Sequence, residues 1–149
     1  MGKGLSSERI RELAKALDDA IKKHDIEELV SYFSEACEIQ LPGIMLYGHE
    51  GLRKAIGWMY RYLKEITLIP VTIMIQGNTF FEEFIVKARV SGGDIEVRQA
   101  EVLVYDHDYK VRDIRLYFDR LELAQAFSSN LFDRILMRKV NAASLKGLQ

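Results

Sequence analysis

The feature that most constrains this chain is a change of hydrophobic period near Thr67. Before it, apolar residues recur at helical spacing; after it they alternate, and β-branched residues dominate. Ser6 and Ser7 cap a first predicted helix, whose buried face reads Ile10, Leu13, Ala14, Leu17 and Ile21. His24-Asp25 ends it. Asp25 with Glu28 has the form of a capping box for a second, shorter helix with Ile26, Leu29, Val30 and Phe33 inward. Cys37–Leu41 alternates as a short strand closed by Pro42-Gly43, and a third helix follows Gly48-His49 with Leu52, Ala55, Ile56, Met59, Tyr60 and Leu63 on one side.

Beyond the switch, four strands are expected at about Thr67–Ile75, Thr79–Val90, Ile95–Tyr105 and Val111–Phe118. The breaks between them, Gly77-Asn78, Gly92-Gly93-Asp94 and Asp106-His107-Asp108, are short and rich in turn formers, which predicts an antiparallel meander. Helices first and long strands after, without βα alternation, make an α+β domain. Three short helices cannot cover four long flat strands, so the sheet is expected to curl around them.

Composition narrows the function. The chain has 149 residues, 48% hydrophobic, enough for one packed core without disulfides. The formal net charge of −1 leaves no basic excess for a nucleic-acid partner. A single cysteine, Cys37, excludes an internal disulfide framework and a cysteine-built zinc site. The N-terminal stretch lacks an apolar leader and no run approaches about 18 apolar residues, so a soluble, cytoplasmic protein is expected.

The order of elements resembles the cystatin-like α+β barrel of the nuclear-transport-factor-2-like proteins. Local residues are similar too. Tyr47-Gly48-His49-Glu50-Gly51-Leu52-Arg53 looks like the Gly-x-Glu-x-Leu/Ile-Arg opening of the third helix in SnoaL-like polyketide cyclases. Lys110-Val111 and Arg115-Leu116-Tyr117-Phe118-Asp119 look like that family's last strand, which commonly ends Tyr-Phe-Asp. The resemblance spans roughly Ile10 to Phe127 and implies a barrel domain over 1–127, with 128–149 as a C-terminal helical extension. It also implies a cone whose interior holds a small apolar ligand, with catalytic groups that differ between branches.

Carried over without gaps, the ketosteroid isomerase positions fall on Leu41 for the general base, Leu17 for the oxyanion-binding Tyr and Glu101 for the protonated acid. Only Glu101 keeps a proton-carrying group. The similar limonene epoxide hydrolase arrangement would need acids or polar groups at Leu116, near Glu83 and Ile85, and at Glu38 and Gln40; only Gln40 fits its role. Neither set is retained. SnoaL-like cyclases require chiefly a carboxylate on the third long strand, and that position is again Glu101, a glutamate where the family has aspartate.

By parity, Ile95, Val97, Gln99, Glu101, Leu103 and Tyr105 share one face of their strand. If that face lines the cone, Glu101 is a carboxyl among apolar neighbours; if not, it is a solvated residue of the sheet. The other face ends in Ala100, Val102 and Val104, which predicts a homodimer through the sheet. Phe84, Val86, Ala88 and Val90 put Glu82 inward by alternation, whereas the family reading puts Glu83 there. Leu17, Leu41, Leu116 and Phe118 are expected to line the site, with Gln40, Tyr47, Glu83 and Gln99 as its polar contacts. No metal and no cofactor are expected: Asp106-His107-Asp108 reads as a solvated turn, and Cys37 as a buried hydrophobe. Leu131, Phe132, Ile135, Leu136 and Val140 mark an amphipathic C-terminal helix that packs on the cone or on a second subunit rather than on a membrane. Two functions follow: a small-molecule enzyme abstracting a proton beside a carbonyl with Glu101, or a ligand-binding or dimeric interaction module without chemistry.

Overall fold

The first two predicted helices form where their caps place them. In a computed structural model describing residues 4–91, 93–128 and 130–148, α1 spans Ser7–Lys23, and the Ser6 side chain accepts a hydrogen bond from the Arg9 amide. It ends at His24, whose left-handed φ of 58° turns the chain and stacks its ring on Tyr60. Helix α2 (Ile26–Ser31) starts with the Asp25 carboxylate accepting from the Glu28 amide. Helix α3 covers Gly48–Tyr62.

The strands are β1 (Phe33–Leu41), β2 (Ile44–Tyr47), β3 (Lys64–Gln76), β4 (Thr79–Val90), β5 (Gly93–Tyr105) and β6 (Val111–Phe118). Two features differ from the sequence reading. Strand β1 begins at Phe33 rather than Cys37, and β2 returns along it through Pro42-Gly43, with Gly43 at φ +85°. One six-stranded sheet results, in the order β2-β1-β6-β5-β4-β3. Only β1 and β6 run parallel; the other neighbours are antiparallel. Register shifts in β3 against β4, near Thr67 and Thr72, give local bends that help the sheet curl.

The fold is α+β, a curved open sheet holding the three helices in its concavity. Ile10, Ala14 and Leu17 of α1, Leu52 and Ile56 of α3, and Phe80, Phe84 and Leu103 of the sheet share one buried core. After β6 come α4 (Arg120–Phe127) and α5 (Leu131–Ser144). Phe127 joins Trp58 and Tyr62 in an aromatic cluster, but no residue of α5 is buried. Among the described residues, no helix is long and apolar enough to cross a membrane.

Candidate functional site

Residues paired across a sheet point to the same side, so the register maps the concave face. One row runs Ile73, Glu82, Glu101, Leu116 across β3 to β6. Beside it lie Pro70, Phe84, Gln99 and Phe118; on its other side lie Ile75, Phe80, Leu103, Ile114 and Ile39. Two acids thus sit in the middle of an apolar wall. Glu82 and Glu101 are 4% and 6% exposed. Helix α1 brings a third acid, Asp18, and one carboxylate oxygen from each of the three lies within 4.8 Å of the others.

Burial sets the electrostatics. It pushes Glu101 up to about 8, with the neighbouring charges of Asp18 and Glu82 adding to the effect. Glu82 rises to about 7, by burial and then Asp18. Asp18 rises to about 6, again by burial, opposed by Lys22 one turn on and reinforced by Asp19. Behind them on β5, the Tyr105 phenol is buried, held above its ordinary range by burial and by the Glu101 and Asp18 charges, and its hydroxyl has no hydrogen-bond partner. Three acids this close titrate as a unit, so near neutrality the cluster both holds and lacks protons. Such a group can give or take a proton from a ligand, and its oxygens are also spaced to hold a cation.

The expected site residues divide by face. Leu17, buried on α1, lies beside Asp18, and Gln99, Glu101, Leu116 and Phe118 lie on the concave side. Leu41 packs against the core from the end of β1. Gln40, Tyr47 and Glu83 lie on the other side. Gln40 is exposed and pairs with Met45 and Arg115; Tyr47, 63% exposed, pairs with Glu38. Glu83 accepts from Arg98 at 2.9 Å and from Thr72 at 3.3 Å on the convex surface. The inward carboxyl of this strand is therefore Glu82. His107 is exposed beside Asp108, and Cys37 is buried with its thiol raised chiefly by desolvation rather than by nearby acids. Asp18 had a signal in the sequence: it stands four residues after Ala14 and three before Ile21, on the buried stripe of α1.

No family model matches the chain, and no curated protein matches it. Solved structures do. An NTF2-like protein of Burkholderia pseudomallei aligns with a TM-score of 0.76 and 12% identity, over 84% of this chain and 100% of that one. The fold is that of the nuclear-transport-factor-2-like α+β barrels. A protein from Jannaschia described as a SnoaL-like polyketide cyclase aligns with a TM-score of 0.75 and 12% identity, over 87% of this chain and 99% of its own. SalBIII, an epoxide hydrolase/cyclase-like enzyme of pyran ring formation in salinomycin, aligns at 0.70 and 12%, over 78% and 95%. At these identities the likeness is one of fold.

Proposed function

We propose that this protein binds a small, largely apolar molecule inside the cone and abstracts a proton beside its carbonyl, in a cyclase- or isomerase-type reaction with Glu101 as acid/base. The observation that carries this reading is the meeting of Asp18, Glu82 and Glu101 in an apolar interior. A general base works best with a pKa near the operating pH, and burial brings Glu101 and Glu82 to about 8 and 7. A proton removed from carbon goes to the carboxylate, and a neighbouring protonated acid can donate to the carbonyl oxygen as it gains charge. Half-buried Leu116 and Phe118, with Leu41 beyond them, supply apolar surface for the body of the ligand. SalBIII is described as epoxide hydrolase/cyclase-like and the Jannaschia protein as SnoaL-like polyketide cyclase, descriptions that support this reaction class.

Gln40 and Tyr47 take no part in this reading, because both face away from the acids. A second copy is the other proposed partner, docking on the convex sheet; the protein acts in the cytoplasm without nucleic acid or membrane. Residues 1–127 are the working barrel, with 128–149 as an extension.

A second reading, a binding module without chemistry, rests on leucine at positions 17, 41 and 116, where catalytic relatives carry reactive groups. Native mass spectrometry of the purified protein, then denaturing extraction, identifies any carried compound. Turnover of that compound that falls at least about a hundredfold in Glu101→Gln supports catalysis; binding with no turnover in either protein supports the module.

A further inference from the structure

All three polar groups meeting at the centre of the cone are acids, and no Lys, Arg or His shares the concave faces of β4, β5 and β6 with them. Lys22 acts on Asp18 from one turn away, but its ammonium lies at the surface, 3.9 Å from Asp19. Tyr105 adds an independent observation. It is 2% exposed, on the same face of β5 as Glu101, and its hydroxyl bonds to nothing although Glu101 and Asp18 both act on it electrostatically. A buried phenol left unbonded beside two carboxyls is a polar group whose hydrogen bond is still to be supplied.

We propose that this cluster takes the primary ammonium end of an amphiphilic amine, whose apolar body lies against Leu41, Leu116 and Phe118. The inference rests on the small-molecule reading of the interior and is independent of whether a reaction follows.

The donor count fits, and the spacing permits the contact. A primary ammonium has three N–H donors and no acceptor, and the cluster offers three carboxyl groups. Charge-assisted N–H···O contacts of about 2.7–2.9 Å in tetrahedral directions set the acceptors roughly 4.4–4.7 Å apart. The three oxygens here lie within 4.8 Å of one another. A hard divalent ion wants about six to eight oxygens, and beyond the three acids, Tyr105 and the Gln99 amide the wall is apolar. A neutral carbonyl would engage one acid and leave the others facing each other.

The proton balance gives a signature. An alkylamine, like a lysine side chain titrating near about 10.4, enters already protonated at neutral pH. Ionising a carboxyl that was holding a proton releases that proton to the buffer, while a neutral ligand releases none.

Titration calorimetry near neutral pH, in two buffers of different ionisation enthalpy, compares hexylamine, hexanol and the methyl ketone of equal heavy-atom count. Hexylamine is expected to bind about tenfold or more tightly than either and to release protons. Glu82→Gln is expected to weaken hexylamine about tenfold with little effect on the ketone, while Glu83→Gln on the convex side changes neither. Ketone binding as tight as amine binding overturns the inference and leaves the small-molecule reading standing. Amine binding without proton release, or unaffected by Glu82→Gln, overturns it as well. Binding of none of the three overturns both.

Discussion

Three acids in an apolar wall make stability depend on pH in a defined direction. Their raised pKa values mean that the folded chain holds protons which the unfolded chain, titrating near 4 for Asp and Glu, has released. Where the native state binds more protons, stability falls as pH rises. The contribution is fully present below the unfolded values and is lost as pH climbs through about 6, 7 and 8. The melting temperature is therefore expected to fall between about pH 5 and about pH 8. Glu101→Gln, which cannot ionise, should flatten that fall and melt higher than the parent at the alkaline end. A variant profile as steep as the parent's would refute the assignment of the slope to this cluster. The same residues show what the sequence could reveal. Strand parity grouped Glu101 with Val97 and Leu103, and Glu82 with Phe84, but left open which face of β5 turns inward and whether Glu82 or Glu83 does so, because a one-residue slip exchanges the faces and only the curl of the sheet decides. Gln40 broke the same rule: Cys37 and Ile39 face inward, so its side chain is turned outward, and family position alone had placed it inside. Asp18 escaped because an aspartate beside Leu17 reads as the polar flank of a helix, and only the curl of the sheet brings two more acids onto it.

At the scale of elements, turns and caps were the most legible features, since Ser6, Asp25 and Gly43 each satisfy a local rule that needs no distant partner. Strand β2 was not, because Ile44–Tyr47 has few apolar alternations of its own and is defined by pairing with β1. That hairpin leads into α3 through Gly48, at φ +67°, where an added Cβ would lie 3.1 Å from the Glu35 carbonyl oxygen. Gly48→Ala is expected to destabilise the fold by about 1–2 kcal/mol, the usual cost of a left-handed conformation for a residue with a Cβ. Chemical denaturation measures it, and an unchanged midpoint would show that the turn relaxes. Helix α5 behaves oppositely. None of its residues is buried, and Leu131 and Phe132 are 75% and 74% exposed. Stability comes from buried apolar area, so a chain ending at Ser128 should keep its melting temperature within a few degrees. A drop well beyond that would mean that α5 packs on the barrel or on a second subunit in solution.

The whole molecule poses the question of its convex sheet. A row of Met74, Phe81, Val102 and Arg115 crosses four strands there, next to Ala100 and Tyr117. Met74 and Tyr117 are 57% and 50% exposed. The charged pairs Arg98–Glu83 and Lys87–Glu96 stand toward one end of this face, and Asp113 and Glu38 toward the other. An apolar row of this kind is what a second sheet packed face to face would cover. Arg115 would give that contact a polar anchor. Its Nε is buried without a hydrogen-bond partner, beside a concavity of about 160 Å³ lined by Glu38, Gln40 and Asp113. An acceptor from a second copy would satisfy that donor, which otherwise carries the cost of an unpaired buried group. Sedimentation at tens of micromolar protein is therefore expected to give a dimer. Tyr117→Asp combined with Met74→Asp should give a monomer whose melting profile keeps its dependence on pH, because both side chains point away from the acids. A monomeric parent would overturn the dimer; a dimeric double variant would move the interface to the exposed apolar stripe of α5, which the chain ending at Ser128 then tests directly.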